Sequence, residues 1–271
     1  MPPRKLSLRL LLVLAVVVPC TAIGLVWLHP GVTQAAPLTV QVSAAVPAFA
    51  PRVILAAPGQ SVRFANSMTQ PLQLTSAPHD PAQFSLSVPS GGSAALTLTT
   101  PGLYHYYDGS TSHVIDFQAD NDVVNSLPNA PSQDMPLQGW IYVPGNAGVP
   151  YDSAIHVPAS HDLMSPHAAV IHVGGSVLLH NGDTDAHNMV TDPNDPTGAA
   201  FEVLGTDGEP SIGGATRQVT FTAPGLYHIY CSIHTRVVGQ VGGWNVVVPR
   251  DDSASGYPDR DPMEAWILVV S

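Results

Sequence analysis

The chain has 271 residues, with 23 glycines, 27 prolines, 11% charged side chains and a formal net charge of −11. Its length is a prior for about two domains of ~150 residues each. The acidic balance argues against nucleic acid as a partner, because such binding rests on Lys and Arg neutralising phosphates.

The chain opens on a leader. Arg4, Lys5 and Arg9 precede the apolar run from Leu10 to Leu28, and Thr33-Gln34-Ala35-Ala36 offers a cleavage site. The run is also near the length that spans a bilayer. Residues 1–36 therefore read as a signal peptide or as an N-terminal membrane anchor through residues 10–28. Either way the basic end stays inside and the rest is exported, to the periplasm or the cell surface. Cys20 lies in the leader, which leaves Cys231 as the only cysteine of the exported part. No intrachain disulfide can form there. A lone thiol in an oxidising compartment is exposed to oxidation unless something such as a metal holds it.

Beyond the leader, short runs bounded by Gly and Pro read as strands: Leu38–Val42, Val53–Leu55, Ser61–Ala65, Ala95–Thr99, Val114–Phe117, Ser176–Leu179, Gln218–Thr222 and Trp244–Val248. No stretch has convincing helical periodicity, so the expected class is all-β, with β-branched and aromatic residues on inward faces. The chain also repeats itself. Thr100-Pro101-Gly102-Leu103-Tyr104-His105-Tyr106-Tyr107-Asp108 matches Ala223-Pro224-Gly225-Leu226-Tyr227-His228-Ile229-Tyr230-Cys231. Asn66 matches Asn181, His79 matches His187, Trp140 matches Trp266, and Met135 echoes Met263. Two copies of one domain are expected: 37–130, then 131–250, with a Pro-rich linker and C-terminal strand over 251–271. Asn121 to Pro136 reads as a linker. The strand at Trp140 either closes the first copy or opens the second.

Chemistry concentrates in the second copy. Cys231 and His234 stand three apart at the end of an apolar, aromatic run, and His187 lies upstream in Asp185-Ala186-His187-Asn188. Two imidazoles and a thiolate make the trigonal donor set that suits copper in an electron-transfer site.

At Pro224-Gly225-Leu226-Tyr227, Tyr230-Cys231-Ser232-Ile233-His234, Asn181 and His187-Asn188 the chain resembles the cupredoxins, the small blue copper proteins. The resemblance implies two Greek-key β-sandwiches, the first degenerate, and one type 1 copper per chain held by His187, Cys231 and His234. It implies that Asn188 and Ser232 tie the two ligand loops together, and that single electrons pass through His234 beside an apolar patch from Ile233, Val237 and Val238. The family's axial Met is missing from the short loop. Val237 falls at that position as a non-ligating residue, Gln240 lies further on, and the Ala186 carbonyl offers a long contact. Without a thioether donor the expected reduction potential is raised.

In the first copy Asp108 replaces the cysteine and Thr111 the second histidine, while His79 is kept and His113 follows. A packing role is expected for this copy; the functional alternative is a colourless site of His79, Asp108 and His113. His156, His161, His167, His172 and His180 form a further group with Met164 nearby, readable as a second metal site, a copper entry route or plain surface histidines. His105 and His228, present in both copies, read as strand-packing residues.

Three functions follow from these residues. The first is an exported, non-enzymatic electron carrier, whose acidic surface would steer a basic redox partner such as a c-type cytochrome. The second is a copper-binding or storage protein without redox turnover. The third, least supported, is a two-domain copper oxidase or nitrite reductase, because Tyr230 and Ser232 rather than histidines flank Cys231.

Overall fold

The computed structural model describes residues 38–42, 46, 48–115, 122–125, 137–146, 148–158, 163–192, 202–203, 216–250 and 262–271. The expected leader, Met135, His161 and most of the two Pro-rich stretches lie outside them. Among the described residues every regular element is a strand, and no helix is long and apolar enough to cross a membrane.

The first sandwich packs two sheets. One has the order β2 (Phe49–Ala50), β1 (Leu38–Val42), β4 (Ser61–Asn66), β7 (Ser93–Thr97). The other runs β3 (Val53–Leu55), β11 (Gln138–Val143), β8 (Gly102–Asp108), β5 (Leu72–Ser76), β6 (Ser85–Val88). The second sandwich repeats the plan. Its smaller sheet is β12 (Asp152–Val157), β14 (Ser176–Asn181), β17 (Thr216–Thr220). Its larger sheet is β13 (Ala168–His172), β21 (Glu264–Val270), β18 (Gly225–Tyr230), β15 (Met189–Thr191), β16 (Glu202–Val203). A hairpin follows the last strand residue of each repeated motif: β9 (Ser112–Ile115) with β10 (Asp122–Asn125), and β19 (Thr235–Val241) with β20 (Trp244–Pro249).

Alternation of side chains puts period-two residues inside. Phe49, Phe64 and Tyr106 meet edge-to-face at the centre of the first core, with centroids 5.0–6.3 Å apart. Ile155, Val177, Leu179, Ile229, Ile267 and Cys231 share the second core. Each fully buried aliphatic side chain there contributes roughly 1.5–3 kcal/mol. The turn into each motif strand is built by Pro-Gly: Gly102 and Gly225 have φ of 143° and 155°, and a Cβ on Gly102 would lie 2.3 Å from Pro81. Tyr104 and Tyr227 each donate their hydroxyl to a backbone carbonyl four residues back, at 2.8 and 2.9 Å.

Three expectations are corrected. A division at residue 130 puts the Trp140 strand after the first copy, while its sequence leaves it open to either one. It pairs with Val53–Leu55 and with Gly102–Tyr107, both in the first sandwich, while β21 pairs within the second. Each copy closes itself, and the boundary falls after Val143. The stretch read as a linker from Asn121 contains β10, because Val123 and Val124 find partners in Val114 and His113. The register also pairs Met263 with Leu137 rather than Met135: Cys231 N–H donates to Met263 O at 3.0 Å, and Asp108 N–H to Leu137 O at 2.9 Å.

The larger sheets of the two sandwiches meet across Val53, Trp140, Ala168, Trp244 and Trp266. His105 stacks on Trp140 and His228 on Trp266, with centroids 4.8 and 4.1 Å apart, so both histidines pack as expected. Polar groups are buried with them. Arg52 of the first sandwich pairs with Glu264 of the second, Glu264 accepts from His228 Nε2 at 2.8 Å, and His228 Nδ1 lies 3.3 Å from Asp192. In the first copy an uncharged amide, Gln138, stands at the position of Glu264, its Oε1 2.8 Å from His105 Nε2. At the outer edge Val46 and Ala48 pack on Val241, Val246 and Val248 of the second hairpin.

Burial pushes the His228 pKa down, but Asp192 and Glu264 outweigh it and hold the ring above its ordinary value of 6.5. Burial pushes Glu264 up, but Arg52 and His228 outweigh it and hold the carboxyl below 4.5. The histidine's contribution is thus complete below pH 6.5 and lost as pH rises through its raised value. The glutamate's is complete above pH 4.5 and lost as pH falls through its lowered value. Urea midpoints are expected to decline above pH 6.5, and less steeply in His228→Gln; an equal decline in both would count against this origin.

Candidate metal centre

Three elements deliver the second-copy cluster. Strand β18 ends at Tyr230 and presents Cys231. A tight turn follows, in which Thr235 N–H and Oγ1 both donate to Cys231 O at 3.0 and 2.7 Å, and this brings His234 back over the sulfur. Upstream, Asn181 folds the loop before β15: its Oδ1 accepts from Asp183 N–H and its Nδ2 donates to Asp185 O, each at 3.0 Å. Asn66 makes the same first contact with Met68 N–H in the first copy, at 2.9 Å.

The result is one converging group. His187 Nδ1 lies 3.0 Å from His234 Nδ1, and Cys231 Sγ lies 3.5 Å from His234 Nδ1. The three ligand atoms all lie within 4.8 Å of one another, and this is the one such group among the described residues. With metal–nitrogen bonds of about 2.0 Å, two nitrogens on one ion at about 100° lie about 3.1 Å apart, which is the spacing seen. His187 and Cys231 are fully buried, and His234 is half-buried.

Further residues fix the group. Asn188 Nδ2 donates to Ser232 Oγ at 2.8 Å, and Asn188 Oδ1 accepts from Ser232 N–H at 2.8 Å and from the Cys231 thiol at 3.4 Å. The two ligand loops are thus joined through the residues that follow His187 and Cys231. Arg250 clamps the second loop from outside, donating to Ser232 O, Thr235 O and, through its backbone N–H, His234 O at 2.7–2.9 Å.

Sequence reasoning missed Asp183. Its Oδ2 lies 3.1 Å from His187 Nε2, and the carboxylate is almost fully buried. A carboxylate on the far nitrogen of a ligand ring fixes its tautomer and raises its basicity. The available signal was an acid four residues before the ligand. Asp183→Ala is expected to weaken copper binding roughly 10–100-fold, and Asp183→Asn to lose less, as read by chelator competition.

Val237 does not sit at the metal. It pairs with Val247 in the hairpin and is 47% exposed. Val238 is also exposed, and Ile233 packs on the second core. Gln240 points into the same hairpin, where its amide reaches Asn245. Three thioethers, of Met164, Met189 and Met263, share a core with Cys231, and of these Met263 is the one whose backbone carbonyl accepts from Cys231 N–H.

Of the first-copy alternative, Asp108 and His79 are described in full. Asp108 accepts from Gln73 N–H, Ser110 N–H and Oγ, and Thr111 Oγ1, so its carboxylate caps its own loop. His79 is exposed, and the His113 side chain lies outside the described residues.

The donor set fits a copper site. Among solved structures similar to this chain are cupredoxins. An oxidised mutant of amicyanin is 15% identical, covers 40% of this chain and 82% of its own, and has a TM-score of 0.28. A purple cupredoxin from Nitrosopumilus maritimus is 22% identical over 44% of this chain and 99% of its own, with a TM-score of 0.28. No family model matches, and no curated protein does.

Proposed function

We propose that the chain is an exported blue copper protein that carries single electrons between redox partners, with its copper in the second sandwich. The observation that supports this most is the convergence of His187 Nδ1, Cys231 Sγ and His234 Nδ1 at 3.0–3.5 Å contacts in a buried, pre-formed frame. Copper supplies a one-electron couple when held there, and soft sulfur with imidazole accommodates both oxidation states. The loop ties through Asn188 and Arg250 hold the donors still, which keeps rearrangement on electron transfer small. His234 is the half-buried ligand and is the electron port, with exposed Val237 and Val238 beside it on the hairpin. The acidic exported part would favour a basic partner of the c-type cytochrome class.

In this reading Met263, rather than Val237, would add a thioether to the residues that hold copper, and the raised potential expected from a missing thioether would then not apply. Met263→Leu is expected to leave copper stoichiometry at one and to raise the reduction potential measured by voltammetry. An unchanged potential would remove Met263 from the site. The electron-carrier reading is tested by mixing reduced, copper-loaded protein with oxidised c-type cytochrome in a stopped-flow cell. Rapid oxidation that slows with added salt supports it. Stable copper loading with no electron exchange with any partner supports storage instead.

A further inference from the structure

Of the five histidines grouped ahead of the copper motif, two come together. His156 on β12 and His180 on β14 are direct partners in the parallel register. Their neighbours Ile155, Val157, Leu179 and Asn181 fill the core, so alternation places both imidazoles on the opposite, outward side of the sheet. The rings meet edge-to-face with centroids 5.7 Å apart at 78°. Among the described residues neither ring has a hydrogen-bond partner, and both are half-buried. His167 and His172 go elsewhere: the first binds Glu264 O in the interface, and the second binds Val173 O and packs on Tyr151.

We propose that His156 and His180 form a second metal site, separate from the Cys231 centre, that takes Cu(II) with water completing the coordination. Neutral imidazole is the commonest nitrogen ligand for divalent transition metals, and among them Cu(II) binds such a site most tightly. The geometry is right for a two-ring chelate. With metal–nitrogen bonds of about 2.0 Å a ring centroid lies about 3.2 Å from the ion, so two rings on one ion have centroids about 4.5–6 Å apart. Adjacent paired strands hold both rings in place before binding, so little side-chain freedom is lost on chelation. Gly182 lies against the His180 ring: a Cβ there would lie 3.0 Å from Val157 O, 3.4 Å from His180 Cε1 and 3.7 Å from its Nδ1. His180 is the last residue but one of β14, the strand that leads into the loop of Asp183 and His187, and His156 is its partner on parallel β12, so the pair lies toward the same end of the sandwich as His187.

The test is a Cu(II) titration of the full chain followed by EPR, in the wild type and in Cys231→Ser, each with and without His156→Gln or His180→Gln. The wild type should bind a second equivalent with the large hyperfine splitting of tetragonal nitrogen and oxygen coordination. Cys231→Ser should keep that signal, which separates this site from the electron-carrier reading. Removing either ring should weaken the second equivalent by about 100-fold, the loss expected when a two-point attachment becomes one-point. The visible band of the first equivalent should persist and so report a folded second sandwich. The proposal is overturned if no second equivalent binds, or if either histidine variant binds it as tightly as the wild type.

Discussion

Replacing Arg52 by methionine is expected to cost about 3–5 kcal/mol of stability, the range for breaking a buried ion pair by removing one partner. Arg52 and Glu264 are 5% and 0% exposed. The guanidinium also lies over the Trp266 ring, 5.9 Å from its centroid. Without it the buried Glu264 and Asp192 lose the guanidinium charge that sits beside them, and His228 is left between the two carboxylates. The molecule itself indicates the repair. At the position of Glu264 the first copy carries Gln138, which bonds His105 without any charge. Arg52→Met with Glu264→Gln should therefore recover much of the loss, leaving the pair strongly coupled in a double-mutant cycle. Urea denaturation of the two single variants and the double variant measures it. A loss below about 1 kcal/mol in Arg52→Met would mean that the pair behaves like an exposed one.

Replacing Cys231 by serine is expected to abolish the intense visible charge-transfer band and the tightly held copper together. The sulfur is fully buried and 3.5 Å from His234 Nδ1, and the sequence holds one other cysteine, Cys20, in the N-terminal apolar run. Serine is nearly isosteric, but its hydroxyl is a hard, neutral donor that favours neither Cu(I) nor the trigonal geometry. The fold should survive, because Asn188 still holds the loop through Ser232 N–H and Oγ. Unchanged circular dichroism with an absent band is the expected pair of readings. A band that persists in Cys231→Ser would place the copper elsewhere.

Two of the three donors were legible from local spacing, and His187 from the repeat that aligns it with His79. Cys231 and His234 lie on one turn, and the repeat aligned the strand that carries them with its counterpart at Gly102–Asp108. The all-β class was legible for the same reason: Pro-Gly turns and alternating apolar residues act over a few positions. What was not legible depended on chain returning from a distance. Arg52 meets Glu264 across 212 positions, and nothing near either residue marks the pairing. The axial position was sought within a short loop, whereas the chain inserts the β19–β20 hairpin there and leaves Val237 facing outward. Met263 comes beside Cys231 in the backbone only when β21 pairs with β18. The domain boundary failed on composition: Pro-rich sequence before Trp140 looked like a linker, yet the strand's hydrogen-bond partners are in the first sandwich.

Copper held by the Cys231 sulfur and the His187 and His234 rings has a first shell that X-ray absorption at the copper edge reads out, on the full chain loaded with a single equivalent. One short sulfur scatterer and two nitrogen scatterers are expected, with the sulfur lost in Cys231→Ser. A first shell of nitrogen and oxygen alone in the wild type would contradict that coordination.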